Sequence, residues 1–380
     1  MRIDGDWIEA DGVQRVLHLL TDAGHQGLLV GGCVRNALLH QPVADIDIAT
    51  DAVPERVIAL AKAAGLKVVP TGIEHGTVTI IVAGEPHEVT TFRRDVETHG
   101  RHATVAFATR IEEDAARRDF TMNALYADAG GRLIDPLGGL PDLLERRVRF
   151  VGDAGARIRE DYLRILRFFR FHAWYGDPEV GMDAGALSAC AENSVGTESL
   201  SRERIGHEMR RLLAAPDPAP AVAAMRATGV LGRVLPGTDP RALAPLVHLE
   251  PPYAPDWLRR LAALGGPDPT DALRLSRDEA RKLTVLSDGI GSMEGPAELA
   301  YRHGAELARD VVLLRAAVLE APLPEGWEID VARGAGAEFP LRASDLMPTL
   351  SGPELGARLK ELETRWIASG FELSREQLLA

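Results

Sequence analysis

Lysine is almost missing from this chain. It occurs only at positions 62, 67, 282 and 360, so nearly all positive charge is arginine. Arginine suits two-pronged contacts to phosphates and base edges. The same arginine-, alanine-, glycine- and proline-rich composition also follows from genome bias, so no single arginine is informative by itself. An excess of positive charge is missing too. The formal net charge is −13, which excludes general electrostatic adhesion to nucleic acid and leaves room only for a local basic groove. Cysteine is scarce: Cys33 and Cys190 are the two, with no C-x-x-C pair. That argues against a cysteine zinc site and against a disulfide framework, and it fits a reducing, cytoplasmic setting. No apolar run approaches ~18 residues, so no membrane span is expected. The opening MRIDGDWIEADG lacks a basic-then-apolar pattern, so no signal peptide is expected. What is present is a 380-residue chain, 46% hydrophobic, enough for two to three domains with substantial cores.

The most informative stretch is Gly27–Thr50, GLLVGGCVRNALLHQPVADIDIAT. Gly27–Val30 is a short apolar run that fits a buried strand. Gly31 and Gly32 then force a tight turn. Val34–Leu39 reads as a helix, so the free N–H groups of the turn favour an anion. Arg35 adds a positive charge in that first turn. Val43–Ala49 reads as a second strand, with Asp45 and Asp47 on one face and Ile46 and Ile48 on the other. Two carboxylates so placed repel unless a cation lies between them. Mg²⁺, which takes oxygen ligands and shares its shell with phosphates, is the expected cation. A lone glycine pair or a lone D-x-D motif is commonly a turn or a solvated edge. The two together across one helix are much more specific.

Around this unit the pattern predicts an α+β fold: an N-terminal mixed sheet with helices, then an all-α C-terminal region. Asp11–Ala23 is an amphipathic helix, with Val13, Val16, Leu17 and Leu20 on one side. Pro54–Ala64 is another. Leu66–Val69, Thr77–Ala83 and Glu88–Phe92 read as strands, the last two joined by a Gly84-Glu85-Pro86 turn. If the third lies beside Val43–Ala49, Glu88 completes a carboxylate triad with Asp45 and Asp47. Arg93–Ala108 is polar and aperiodic, and reads as a mobile loop. Thr109-x-x-Glu112 reads as a capping box opening a helix that carries Arg117–Leu125. Leu133–Asp135 and Val148–Val151 read as the last strands. Ala154–Tyr175 then reads as one helix. Tyr162, Ile165, Leu166 and Phe169 form its apolar face, while Asp161, Arg164, Arg167 and Arg170 sweep round the other side among further apolar residues. Such a row either lines a cleft and awaits a ligand, or forms buried ion pairs between helices. Ser201–Ala214 is a helix capped by Ser201, and Pro216–Pro220 a joint. Ser276-x-x-Glu279 caps a further helix, and Arg309–Leu319 looks buried. Ser351-Gly352-Pro353 opens a helix that either nears a phosphate backbone or packs closely on another helix. The divisions expected are residues 1–151, 152–215 and 216–380.

Taken in order, GGCVRNALL, DID, EVTTFRRD with a Gly-Arg-His loop, RRDFTMNAL, IDPLGG, EDYLRILRFFRF and LSRERIGHEMRRLL resemble the bacterial class II tRNA CCA-adding enzymes and the related bacterial poly(A) polymerases. The resemblance covers residues 27–213; the C-terminal LSGPELGARLKELETRWIASGF is similar to compact members more weakly. It implies a polymerase-β-like nucleotidyltransferase head (1–151), a helical neck that recognises the nucleotide base (152–215) and a helical body and tail that bind tRNA (216–380). It implies that Gly32 and Arg35 hold the triphosphate, that Asp45 and Asp47 bind Mg²⁺, and that Glu88 has a supporting or base role. Arg118 would contact the incoming nucleotide. Asp161 and Arg164 would hydrogen-bond its base, with Arg167 and Arg170 also lining the pocket. The implied reaction is addition of CCA to tRNA 3′ ends from CTP and ATP, without a nucleic-acid template and with release of pyrophosphate. Poly(A) addition, partial CC or A addition, and a non-catalytic RNA-binding relative are the alternatives. The sequence departs from the pattern at Asn36, where the family usually has Asp. No His-Asp dipeptide occurs, so the hydrolase domain that some members carry is expected to be absent.

Overall fold

The computed structural model describes residues 1–99, 102–347 and 349–380. Gly100 and Arg101 of the Gly-Arg-His motif lie outside the described residues. The chain forms two compact units. One is Met1–Leu212 with Pro220–Val234; the other is Leu213–Ala219 with Leu235–Ala380. No helix among the described residues is long and apolar enough to cross a membrane.

The first unit is built on a seven-stranded mixed sheet. Its strands are β1 (Leu28–Val30), β2 (Asp47–Thr50), β3 (Lys67–Gly72), β4 (Thr77–Val82), β5 (Glu85–Thr91), β8 (Tyr126–Ala127) and β9 (Leu133–Ile134), in the order β3-β4-β5-β2-β1-β8-β9. β2 and β5 run parallel, and the other neighbours run antiparallel. A separate ribbon pairs β6 (Arg93–His99) with β7 (His102–Phe107). After a short α1 (Asp6–Glu9), α2 (Asp11–Thr21) buries Val13, Val16, Leu17 and Leu20, as its period requires. α3 (Gly32–Leu38) and α4 (Pro54–Ala63) follow their predicted positions closely.

Several local expectations are corrected. The regular strand begins at Asp47, not at Val43. Gly31 (φ 73°) turns the chain out of β1 after Val30, the partner of Asp47, so earlier residues lose their pairing on that side. The β4–β5 turn is Ala83-Gly84, both with positive φ, and Val82 already pairs with Glu85. Pro86 lies within β5, where β2 has not yet begun to pair. Where a loop is expected, Arg93–His99 and His102–Phe107 form a ribbon; it lies outside the main sheet, so no apolar alternation betrays it. α5 (Ile111–Ala116) starts from Arg110 and stops before the RRDFTMNAL motif. There Asp119 accepts the Phe120 N–H at 2.8 Å, a side-chain bond that competes with helix continuation. Phe120 and Met122 are fully buried. Val148–Val151 contributes only a bridge between Phe120 and Phe150, and β8 gave no sequence signal because it is two residues long.

The helices completing this unit are α6 (Leu140–Leu144), α7 (Ala154–Glu160), α8 (Leu163–Tyr175), α9 (Ala184–Glu192), α10 (Arg202–Leu213), α11 (Ala219–Ala227) and α12 (Val230–Val234). Ala154–Tyr175 is therefore two helices. Asp161 is extended (φ −154°, ψ 106°), and its carboxylate accepts the Leu163 N–H at 3.1 Å. Its carbonyl accepts the Arg164 N–H at 3.0 Å, so Asp161 opens the turn that leads into the second helix without belonging to that helix. α8 packs through an aromatic cluster. Phe120 meets Phe150 and Phe171 with ring centroids 5.0 and 4.8 Å apart, and Phe150 stacks on Phe168 at 5.6 Å.

The second unit is helical. Asp256 caps Trp257–Ala263, and Ser276 with Glu279 forms the expected capping box of Arg277–Gly291. Ala305–Val318 is largely buried. Arg259 and Arg260 are buried against Glu250, and Arg259 also reaches Asp310 at 2.6 Å. Near the end of the chain, Leu341, Leu362, Trp366 and Leu378 form a separate small core.

Candidate active site

The Gly31-Gly32 turn links β1 to α3, and no described side chain caps that helix start. Two guanidinium groups flank the turn. A β-carbon at Gly31 would lie 3.3 Å from Arg118 Nη1, and one at Gly32 would lie 3.8 Å from Arg35 Nη2. Glycine is thus required at Gly31 both by its left-handed backbone and by the arginine beside it.

Asp47 opens β2, and Asp45 lies just before it; both are exposed. Glu88 pairs with Asp47 across the parallel β2–β5 ladder, which sets the two side chains on one sheet face. Although the residue as a whole is exposed, partial loss of solvent around its carboxyl raises Asp47 above its ordinary value; Arg118 opposes that shift and the charge of Asp45 adds to it. The two aspartates are therefore electrostatic neighbours. Among the described residues no group of three or more His, Cys, Asp or Glu is disposed to hold a metal. A divalent ion here would take two carboxylates from the protein and the rest of its shell from phosphate oxygens and water. Mg²⁺ is commonly held that way beside nucleotides, so the donor set fits it.

Arg118 is fixed by its neighbours. It donates to Asp114 Oδ2 at 3.0 Å and to the Tyr126 hydroxyl at 3.1 Å. Burial pushes its guanidinium down, and Tyr126 and Asp114 more than offset that. Burial likewise opposes ionisation of Asp114, but Arg118, Arg117 and the Tyr126 hydroxyl bring it down to about 2. Arg35 is only 7% exposed. It donates to Asn36, to Asn123 and to the Tyr175 hydroxyl, and lies 4.0 Å from the Tyr175 ring centroid.

The Asp/Arg row meets partners at every position. Arg204 donates to Asp161 Oδ2 at 2.6 Å. Arg164 donates through Nη1 to Glu160 and to the Arg157 carbonyl. Arg167 donates to Asp119 at 2.8 Å, and Arg170 to Glu208 at 2.5 Å. The row is one of ion pairs, as one of the two sequence readings had it, yet Arg167 and Asp161 keep 31% and 22% side-chain exposure. Arg157 ties the row to the turn. It donates to Glu160 at 2.5 Å and to the Arg118 carbonyl at 2.9 Å. Asp114, Asp119, Asn123, Arg157, Tyr175, Arg204 and Glu208 gave no individual signal in the sequence. Four of them sit inside the motifs quoted above, where only their company marks them.

A family model described as the poly A polymerase head domain matches residues 28–149, and one described as the probable RNA and SrmB-binding site of polymerase A matches residues 182–241. A CCA-adding enzyme of Geobacillus thermodenitrificans is 33% identical over 93% of this chain and 81% of its own length. The human mitochondrial CCA tRNA nucleotidyltransferase 1 is 31% identical over 97% and 89%. The crystal structure of the Bacillus stearothermophilus CCA-adding enzyme with CTP superposes with a TM-score of 0.74 at 29% identity, over 94% of this chain and 92% of that one. The Thermotoga maritima CCA-adding enzyme complexed with tRNA shares the fold, with a TM-score of 0.72 at 18% identity over 99% and 95% of the two chains. Head and site together are those of a nucleotidyltransferase. The chain belongs to the family of class II CCA-adding enzymes and poly(A) polymerases.

Proposed function

We propose that this protein adds CCA to the 3′ ends of tRNA from CTP and ATP, releasing pyrophosphate, with the nucleotide chosen by protein side chains and not by a template. The observation that best supports this reading is the continuity between acid pair and base-reading residues. Arg118 stands against the Gly31 turn that follows Val30, the register partner of Asp47; Arg157 donates to the Arg118 carbonyl, and Glu160 accepts from both Arg157 and Arg164.

Asp45 and Asp47 would hold Mg²⁺, which when bound neutralises charge on the attacking and leaving oxygens. Glu88, in register with Asp47, supports that acid pair. Gly32 and its neighbour amides, with Arg35 and Arg118 behind them, receive the triphosphate. Phosphoryl transfer of this kind needs positioning and charge compensation more than covalent chemistry. The tRNA 3′-hydroxyl then attacks the α-phosphate in line with departing pyrophosphate.

Base choice falls to Asp161 and Arg164. The carboxylate accepts from the exocyclic amine of cytosine or adenine, and the guanidinium donates to the neighbouring ring acceptor. Asp161 has lone pairs left beyond Leu163 and Arg204, and among the described residues the side-chain hydrogen bonds of Arg164 run through Nη1, which leaves the rest of its fork for a base. Uracil and guanine present the opposite pattern and leave buried groups unpaired, at ~1–3 kcal/mol for each. Arg167 and Arg170 line the same pocket. We assign catalysis to residues 1–151, base recognition to 152–215 and tRNA binding to 216–380. A reducing cytoplasm suits its two buried free cysteines.

The test uses tRNAs ending before CCA, after C and after CC, each offered CTP and ATP separately, with product lengths read on a gel. The expected result is C, C and A in that order and then arrest. Continued growth with ATP alone points to a poly(A) polymerase, and one missing step to a partial enzyme. Asp45→Ala or Asp47→Ala is expected to abolish transfer while tRNA binding by filter retention persists. Unchanged turnover in either variant would remove the metal assignment.

A further inference from the structure

We infer that Asn36 and Asn123 are positioning residues that clamp Arg35 and, through it, join the arginine row of α8 to the loop bearing Asp45. The inference rests on the function proposed above and adds two residues to it. Arg35 has little freedom. Its Nε and Nη2 donate to Asn36 Oδ1 at 3.2 and 2.9 Å, its Nη1 donates to Asn123 Oδ1 at 2.5 Å, and its Nη2 also donates to the Tyr175 hydroxyl at 2.8 Å. A guanidinium offers only donors. Both asparagines must therefore turn their carbonyl oxygens toward it and their amide nitrogens away.

Those outward nitrogens extend the contact in two directions. Asn36 Nδ2 donates to the Pro42 carbonyl at 2.9 Å, three residues before Asp45. Asn123 Nδ2 donates to Asp119 Oδ1 at 2.9 Å, and Asp119 Oδ2 accepts from Arg167 Nε at 2.8 Å. The path thus runs Arg167, Asp119, Asn123, Arg35, Asn36, Pro42, with each step a direct hydrogen bond. Asp45 itself lies outside the regular strand, so the sheet alone does not fix it. The Asn36–Pro42 bond, together with the Gln41 N–H donated to the Asn36 carbonyl at 2.8 Å, anchors the start of its loop. Aspartate at this position would still accept from Arg35 and would lack the donor for Pro42. The Asn36 side chain thus supplies both the acceptor for Arg35 and a tie to the acid loop.

Positioning errors reach the reacting atoms more than initial binding. The experiment measures kcat and KM for single C addition to a tRNA lacking CCA, with CTP and with UTP, alongside thermal melting. Asn36 is only partly buried, so its variants keep the fold. Asn36→Ala is expected to lower kcat about tenfold and leave KM for CTP within about twofold. Asn36→Asp is expected to recover part of that loss, because the acceptor for Arg35 returns while the donor to Pro42 does not. Asn123→Ala frees Asp119 as well as Arg35, and is expected to lower kcat and cut the CTP-over-UTP preference about tenfold. Asn36→Ala with parental kcat, or Asn36→Asp no better than Asn36→Ala at equal melting temperature, overturns the inference. A parent chain that adds no nucleotide overturns the proposed function instead, so the two failures are read on different proteins.

Discussion

Asp114 is 1% exposed and accepts from Arg117, Arg118 and Tyr126. Its carboxyl lies at about 2 against an ordinary 3.8. A carboxylate depressed in the folded state stabilises above its unfolded value and loses that contribution as pH falls, here between about 4 and about 2. The contribution is on the order of 2 kcal/mol. Asp114→Asn is expected to lower the melting temperature at neutral pH and to flatten its fall through that acid window. Equal acid slopes for parent and variant would refute the role. Charges at this scale divide by what reveals them. The short spacings of Asp45 to Asp47 and of Arg164, Arg167 and Arg170 along α8 can be read locally, whereas Asp161 lies before that helix. Asn123 meets Arg35 across 88 positions, and Glu208 meets Arg170 across 38. Nothing local announces such pairs.

Among the elements, those with their own period or cap could be read directly. The α2 helix, the β1-turn-α3 unit and the Ser276 capping box follow from residues in contact with their neighbours. Elements set by distant partners could not. The break between α7 and α8 depends on Asp161 taking the Leu163 amide and on Arg204 holding the other oxygen, whereas the apolar period runs on through the break. That joint has a close neighbour in Gly196. A β-carbon there would meet the Tyr162 ring at 2.0 Å. Gly196→Ala is expected to displace Tyr162, destabilise the fold by about 1–3 kcal/mol, and weaken discrimination of CTP from UTP because Asp161 adjoins the displaced ring. Melting curves and paired incorporation assays read both effects. An unaltered melting temperature would show that the joint has more room than the geometry implies.

At the level of the whole molecule, composition could bound the answer and not partition it. Net acidity confines any grip on RNA phosphates to particular patches, and the helical second half was plain from its periodicity. The membership of each compact unit was not, because it depends on which buried faces meet. The chain passes from one unit into the other at Leu213, back at Pro220 and across again at Leu235. Val222, Met225, Val230 and Leu231, all buried, belong to the first unit although they follow the proline-rich joint. A fragment ending at residue 216 is therefore expected to melt without a cooperative transition, while one ending at residue 234 keeps it; calorimetry of the two decides. The practical corollary concerns dissection. With three crossings there is no single seam at which a protease or a cloning junction could release both halves whole, and split-protein versions of this chain would have to exchange a helical pair rather than simply be cut.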